Sequence, residues 1–184
     1  EIIDGHGTGL RPPSEDDWDE IARTWHLMDD FSAQGSLPST VDHSVSNYFP
    51  PVGDQGSEGS CVAFSNGYYT STFYEARDRG WDLSGASWTN GGEPTPSYQN
   101  RIFSPDFIYH QINDGEDSGS SYLDAQKLLS RVGVSSWERM PNDTSDHTSW
   151  PSESAWREAP RYRNSLNVIS YLTVRTDQDI LTIK

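Results

Sequence analysis

The amino-acid sequence predicts an α+β fold, in which a mainly helical region is followed by a strand. One long helix is expected from Cys61 to about Arg79, with Gly80 as its stop signal. Its broad apolar face comprises five residues: Ala63, Phe64, Tyr68, Phe73 and Ala76. The segment from Asn164 to Arg175 is rich in β-branched and aromatic residues, which predicts a strand. The 184 residues include seven Trp, nine Tyr and six Phe, which suffice for one good core.

Three other segments complete the expected order of elements. A short helix is expected from about Glu15 to Met28, because Trp18, Ile21, Trp25 and Met28 fall on one face of it. The segment from Ser84 to Asn100 is rich in Gly, Ser and Pro and predicts no regular structure. Thr176 is a candidate amino-terminal cap for a last helix, followed by acids in its first turn.

The charge balance excludes several classes of partner. The chain has 28 acidic and 13 basic residues and a formal net charge of −15, which argues against binding nucleic acid or anionic membrane surfaces. No apolar run approaches the ~18 residues that a membrane span needs. The acidic cluster from Asp114 to Asp117 could bind calcium, but it lacks the spacing of an EF-hand loop. A solvated acidic loop is the preferred interpretation.

Cys61 is the only cysteine, and its position favours a reactive thiolate. It follows a Gly- and Ser-rich turn and lies in the first turn of the predicted helix, where the helix dipole should lower the thiol pKa. Gly59 and Ser60 have small side chains, which leave the sulfur accessible. The side-chain amide of Gln55 could donate a hydrogen bond to an oxyanion. The alternative is a buried structural cysteine, which is common for free thiols.

The run QGSEGSCVAFS, from Gln55 to Ser65, resembles the nucleophile segment of the papain family of cysteine peptidases, whose pattern is QGxCGSCWAFS. The longer stretch YFPPVGDQGSEGSC resembles bacterial members in particular. The resemblance implies that Cys61 is the nucleophile and that Gln55 and the Cys61 backbone N–H hold the oxyanion. Two departures are Glu58, which replaces a disulfide cysteine of the family, and Val62, which replaces its usual tryptophan.

The resemblance extends to two later segments. FSPDFIYHQIN resembles the family's second helix region, and GEDSGSSYLDAQKLLSRVGV resembles its glycine-rich substrate strand and the helix that follows. In that alignment Gly119 and Ser120 match the paired glycines that bind extended substrate, and Tyr122 matches a wall of the main specificity pocket. Gly59 and Ser60 are further expected substrate-binding residues. The alternative interpretation of the later segment is a solvent-exposed loop.

The general base of a papain-type mechanism is expected outside this chain. The family places its catalytic histidine, and the Asn that orients it, about 130–150 residues after the cysteine, which is at or beyond about residue 191. The chain ends at Lys184, and none of its five histidines lies in a matching motif. The resemblance therefore implies that a missing carboxyl-terminal segment, or a second polypeptide, supplies the histidine.

The resemblance also implies a two-lobed papain-like fold, divided into three parts. Residues 1–36 are expected to be an amino-terminal extension or propeptide remnant, and residues 37–163 the helical lobe with the nucleophile cysteine. Residues 164–184 are expected to begin the β-rich second lobe, which residues outside this chain would complete. The segment LPSTVDHS resembles the mature amino terminus of the family. The helix before it either inhibits the site, since propeptides of this family cross the cleft, or merely packs on the lobe.

The implied activity is that of a cysteine endopeptidase. The Cys61 thiolate would attack the carbonyl of a peptide or protein substrate, and water would hydrolyse the thioester acyl-enzyme. No metal or organic cofactor is required for this reaction. Similarity to secreted bacterial members favours an extracellular protein made as a zymogen, whose signal peptide is not in this chain. Two alternatives stay open: a non-catalytic papain-like peptide-binding module, and a surface interaction protein.

Overall fold

Helices are the main regular structure of the computed structural model, which describes residues 2–3, 5–24, 26–27, 39–165, 170–171 and 174–176. The α-helices, in chain order, are α1 (Glu15–Thr24), α2 (Cys61–Ala63), α3 (Thr72–Arg79), α4 (Pro105–Tyr109), α5 (Tyr122–Arg131) and α6 (Glu153–Glu158). Short 3-10 turns occur at His43–Val45, Pro96–Tyr98 and Ala159–Tyr162. This composition agrees with the predicted mainly helical lobe.

The strands within the described residues are short and form two pairs. Strands β1 (Ile2–Ile3) and β2 (His6–Gly7) are antiparallel, with Ile2 opposite Gly7. Strands β3 (His26–Leu27) and β4 (Ser170–Tyr171) are parallel, with His26 opposite Ser170. The second pair joins parts of the chain that are far apart in sequence.

A single long helix, the central helix, organises the core. It begins with α2, continues through a π-helical segment at Phe64–Ser71 and ends with α3. Gly80 terminates it in the left-handed conformation, at φ 66°, where glycine has no steric penalty. The predicted helix from Cys61 to Arg79 is therefore confirmed, although the sequence did not indicate its π-helical middle.

The central helix contributes to two hydrophobic clusters. One contains Val62 and Ala63 and reaches α4, α5 and α6, with Cys61 packed at its edge. The other is built around Phe64 and Tyr68 and includes Ala76, Leu83, Ile102 and Trp137. Both clusters therefore pack on the same helix, the first at its start and the second farther along it.

The amino-terminal helix is shorter than its apolar pattern predicts. It ends at Thr24, because His26 and Leu27 pair with Ser170 and Tyr171 instead of continuing the helix. Ile21 is buried, whereas Trp18 is 53% exposed, so the expected apolar face is only partly used. Trp25 and Met28 lie outside the described residues.

Only part of the predicted carboxyl-terminal strand lies within the described residues. Only Ser170–Tyr171 is in a described strand, and Asn164 and Ser165 are not extended into it. Most of the helix expected after Thr176 falls outside the described residues, as does the expected mature amino terminus at Leu37. The segment from Ser84 to Asn100 is irregular, as predicted, apart from one 3-10 turn and a single bridge between Trp88 and Pro94.

No helix within the described ranges is long and apolar enough to cross a membrane.

We expect Leu129→Ala to lower the free energy of unfolding by about 2–5 kcal/mol, since Leu129 is buried in the cluster that supports the start of the central helix. Urea denaturation followed by tryptophan fluorescence measures this loss. The control is Val52→Ala, which shortens an exposed side chain and should change stability by less than about 0.5 kcal/mol. Equal losses in the two variants would show that the Leu129 cluster is not part of the cooperative core.

Candidate active site

Cys61 occupies the first position of the central helix, as the sequence predicts. The backbone N–H of Phe64 donates to the Ser60 carbonyl at 2.9 Å, which begins the helical hydrogen bonding immediately before the cysteine. The first N–H groups of a helix have no partner within the helix and point toward its amino-terminal end. Cys61 is half-buried, so its thiol lies between the core and the surface.

Gln55 already binds a backbone carbonyl oxygen. Its amide nitrogen donates to the carbonyl of Glu58 at 2.8 Å and to the carbonyl of Gly7 at 2.9 Å. The first bond holds the side chain across the loop that leads into the central helix. The second bond joins the amide to a carbonyl of a segment that is distant in sequence.

The segment from Gly7 to Arg11, here called the cleft segment, lies across this loop. The Gly7 N–H donates to the Gly56 carbonyl at 3.1 Å. Ser120 binds the other end of the segment: its N–H donates to the Gly9 carbonyl at 2.7 Å, and its carbonyl accepts from the Arg11 N–H at 2.9 Å. Leu10 lies opposite Ser120 in a parallel bridge. The structure thus brings Gln55 and Ser120 together on one extended stretch of backbone.

Three glycines make the close approach of these backbones possible. A Cβ atom on Gly9 would overlap the carbonyl oxygen of Gly59, and one on Gly119 would overlap the carbonyl oxygen of Gly9. Gly119 also has φ +89°, which side-chain-bearing residues rarely adopt. The predicted substrate residues Gly59 and Gly119 therefore both touch the cleft segment.

Ion pairs anchor the amino-terminal region beside the site. Arg11 forms a 2.7 Å ion pair with Asp114 and also donates to the Ile112 carbonyl at 2.9 Å. Lys127 on α5 pairs with Glu20 on α1 at 2.5 Å. Each of these partly exposed pairs contributes little to the free energy of folding. Together they attach the residues that follow the cleft segment to the loop after α4 and to α5.

The acidic loop after α4 supplies protein contacts with its carboxylates. Asp117 accepts hydrogen bonds from the Gly59 N–H at 2.7 Å and the Tyr109 hydroxyl at 2.6 Å. Asp114 pairs with Arg11, and Glu116 is exposed. Asp117 therefore fixes the loop before Cys61, a role that its acidic neighbourhood did not indicate.

The remaining predicted substrate residues lie at the edge of this arrangement. Tyr122, the first residue of α5, is 44% exposed, and its hydroxyl lies 3.3 Å from the Ser65 hydroxyl on the central helix. Ser60 is buried directly before Cys61. The exposed aromatic ring of Tyr122 is thus held near the central helix, two residues after Ser120.

The described histidines have other partners. His43 packs against the ring of Phe73 at 5.0 Å, and His110 lies in the interior next to Asp106. His147 is half-buried in a loop. Within the part of the chain that the structure describes, no imidazole is hydrogen-bonded to the Cys61 thiol. The side chains of His6 and His26 are not among those described.

The structure also assembles a buried polar cluster that sequence reasoning missed. Glu58, three residues before Cys61, lies next to Asp106 and His110 of the α4 region, and all three are buried. Burial, reinforced by the charge of Asp106, raises the pKa of Glu58 to about 8. Burial likewise raises the pKa of Asp106 to about 7, against a hydrogen bond from the Asp143 N–H. The i, i+4 spacing of Asp106 and His110 is the only sequence signal for this cluster.

Comparison with known proteins supports the fold. No protein-family model matches the chain, and no curated relative matches it either. The structure is similar to xylellain, a cysteine protease from Xylella fastidiosa, with a TM-score of 0.68 and 20% identity over 100% of this chain and 65% of that chain. It is also similar to a structure from work on the mite allergens Blo t 1 and Der p 1, with a TM-score of 0.53 and 17% identity over 89% of this chain and 47% of that chain. The papain-like fold is thereby confirmed, and the chain spans less than two thirds of each of these proteins.

We expect Gly9→Ala to displace the cleft segment, because the added Cβ would overlap the Gly59 carbonyl oxygen. Loss of the hydrogen bond from the Ser120 N–H should accelerate its hydrogen exchange at least about tenfold, measured by exchange mass spectrometry. Gly91→Ala is the matched control, since a Cβ there makes only ordinary contacts. Unchanged exchange at Ser120 in the Gly9 variant would contradict the close packing of the cleft segment.

Proposed function

We propose that this protein is a cysteine endopeptidase that hydrolyses peptide bonds through a thioester at Cys61. The observation that carries the proposal is the 2.9 Å hydrogen bond from the Gln55 amide to the Gly7 carbonyl, on the loop that leads into Cys61. An amide that binds the carbonyl of an extended peptide at the start of the nucleophile helix can bind the carbonyl of a scissile peptide in the same way. The similarity to xylellain, a cysteine protease, supports this assignment.

The proposed reaction has two chemical steps. The Cys61 sulfur attacks the substrate carbonyl carbon, and the resulting oxyanion is bound by the Gln55 amide and the Cys61 backbone N–H. An imidazolium then protonates the leaving amine as the C–N bond breaks, which leaves a thioester. Water, deprotonated by the same imidazole, attacks the thioester and releases the carboxylic acid and the thiol.

The hydrogen bonds of the cleft segment indicate how substrate would bind. We propose that the Ser120 N–H and carbonyl, which now pair with Gly9 and Arg11, pair with the backbone of an extended substrate. Gly59, Ser60 and Gly119 would leave space for that backbone, and Tyr122 would form one wall of a side-chain pocket. Backbone hydrogen bonds provide affinity for any sequence, whereas the pocket sets the preference.

The catalytic histidine is proposed to belong to a part of the protein outside this chain, either a carboxyl-terminal segment or a second polypeptide with the β-rich lobe. The described histidines have the other contacts given above, and the chain covers 65% of the xylellain chain. Residues 164–184 would then be the beginning of the second lobe.

Residues 1–36 are proposed to keep the enzyme inactive as a zymogen. The cleft segment binds both the Gln55 amide and Ser120, so a substrate cannot use these groups while the segment is in place. Removal of the segment by proteolysis would activate the enzyme. An extracellular location is proposed with it, from the resemblance of the nucleophile segment to secreted bacterial members.

The test is alkylation of the complete protein by a peptidyl epoxide, followed by intact-mass spectrometry. We expect slow labelling while residues 1–36 are attached, and stoichiometric labelling of Cys61 after proteolytic removal of the cleft segment. Cys61→Ser should abolish labelling. Any additional polypeptide that carries the histidine should appear in the same spectrum.

A different result would favour a peptide-binding module, a function consistent with the pairing of Ser120 with an extended segment. In that case the processed protein would bind peptides, measured by isothermal titration calorimetry, but would neither react with the epoxide nor release a fluorogenic amine. This outcome would overturn the peptidase proposal.

Gln55→Ala should lower kcat of the processed enzyme about 10²–10³-fold, because removal of one oxyanion donor raises the barrier to carbonyl attack. Hydrolysis of a fluorogenic peptide measures the effect. The control, Gln99→Ala, removes an amide that is hydrogen-bonded to Glu93 outside this site and should leave kcat unchanged. A Gln55 variant with wild-type kcat would remove this residue from the mechanism.

A further inference from the structure

The buried cluster of Glu58, Asp106 and His110 has the composition of a metal site. Each residue directs one ligand atom into a common space, and these atoms lie within 4.8 Å of one another. Relative exposures are 1% for Glu58, 1% for Asp106 and 8% for His110. Asp106 and His110 lie one helical turn apart at α4, whereas Glu58 comes from the loop before Cys61. Two separate parts of the chain thus meet at the cluster.

The facing polar atoms have no protein partners. Both carboxylate oxygens of Glu58, Oδ1 of Asp106 and Nε2 of His110 are buried without a hydrogen bond to any described residue. Nε2 of His110 lies 3.6 Å from Oδ2 of Asp106, which is too long for a hydrogen bond. Four unpaired buried polar atoms on three adjoining residues would be costly, because each atom loses its hydration without replacement. A cation bound between them would satisfy them together.

The outer contacts orient two of the ligands. Nδ1 of His110 lies 2.7 Å from the Ser149 carbonyl oxygen, which can only accept, so Nδ1 carries the proton and Nε2 presents its lone pair to the cluster. Oδ2 of Asp106 accepts the Asp143 N–H at 2.7 Å, which leaves Oδ1 free. A metal-binding histidine typically donates its other N–H to a backbone carbonyl or carboxylate in this way.

Charge also favours a divalent cation. Two carboxyl groups are buried side by side, and within the described ranges no lysine or arginine pairs with either of them. A divalent ion would balance two carboxylates, so the cluster with its ion would be neutral.

We propose that Glu58, Asp106 and His110 bind one zinc ion, which links the loop before Cys61 to helix α4. One imidazole nitrogen and two carboxylate oxygens suit zinc, which accepts nitrogen and oxygen ligands at about 2.0–2.2 Å. Calcium prefers six to eight oxygen ligands, and magnesium keeps several waters in an octahedron, so a compact buried site with an imidazole suits neither. The site is buried, so the ion is structural and takes no part in peptide hydrolysis.

The test is zinc binding by the complete protein in a Cys61→Ser background, which removes the one thiol that could also bind zinc. The protein is freed of metal with a chelator, titrated with zinc and dialysed, and zinc per chain is measured by inductively coupled plasma mass spectrometry. We expect one equivalent to be retained, with a raised Tm. Cobalt substitution should give a visible absorption band of a low-coordinate site.

Glu58→Gln and His110→Asn should each weaken zinc binding by more than about 100-fold, since loss of an outer contact alone costs about 10–100-fold. The matched controls are Glu116→Gln and His147→Asn, which change an exposed acid and a loop histidine outside the cluster. Both controls should retain one zinc.

The stability of the metal-free protein shows whether Glu58 binds a metal or only supports the fold. Glu58→Gln removes a buried acid that has no partner, so the metal-free variant should be as stable as the parent, or more so, and should lose only the increase in Tm caused by zinc. The proposal is overturned if the parent retains no zinc, or if the Glu58 and His110 variants retain it fully. Neither result depends on peptidase activity.

Discussion

The close contact of three glycine backbones is the constraint on which the candidate site depends. Gly9 lies against both Gly59 and Gly119, and a side chain at Gly9 or Gly119 would push these backbones apart. The contact sets the distance between the nucleophile loop and the strand at Ser120, so one extended peptide can bond to both. The spacing that admits the cleft segment is therefore the same spacing that would admit a substrate.

The central helix and its surroundings keep that spacing rigid. Cys61 lies where the helix begins, and residues of the helix belong to both hydrophobic clusters. Asp117 then holds the loop in front of the helix, through its hydrogen bond from the Gly59 N–H. Packing thus positions Cys61, whereas hydrogen bonds position the loop before it.

Local patterns in the sequence predicted the helix, its termination at Gly80 and the special position of Cys61, because apolar periodicity and glycine act within a few residues. The amino-terminal helix is shorter than predicted, because His26–Leu27 pair with Ser170–Tyr171. No pattern in the neighbouring residues indicates a partner so distant in sequence. In the candidate site, too, the sequence indicated local features but not contacts between distant residues. The motif around Gln55 was visible, but its bond to Gly7 depends on how the chain folds back.

Glu58 belongs to both proposed sites, to one through its backbone carbonyl and to the other through its side chain. Its backbone carbonyl accepts from the Gln55 amide at 2.8 Å, and its side chain points into the buried cluster with Asp106 and His110. A cation that fixes the side chain would also fix the carbonyl, and with it the amide that would bind the oxyanion. The papain family pattern has a disulfide cysteine at this position, so a metal ligand there would restore a crosslink that this chain cannot form with its single cysteine.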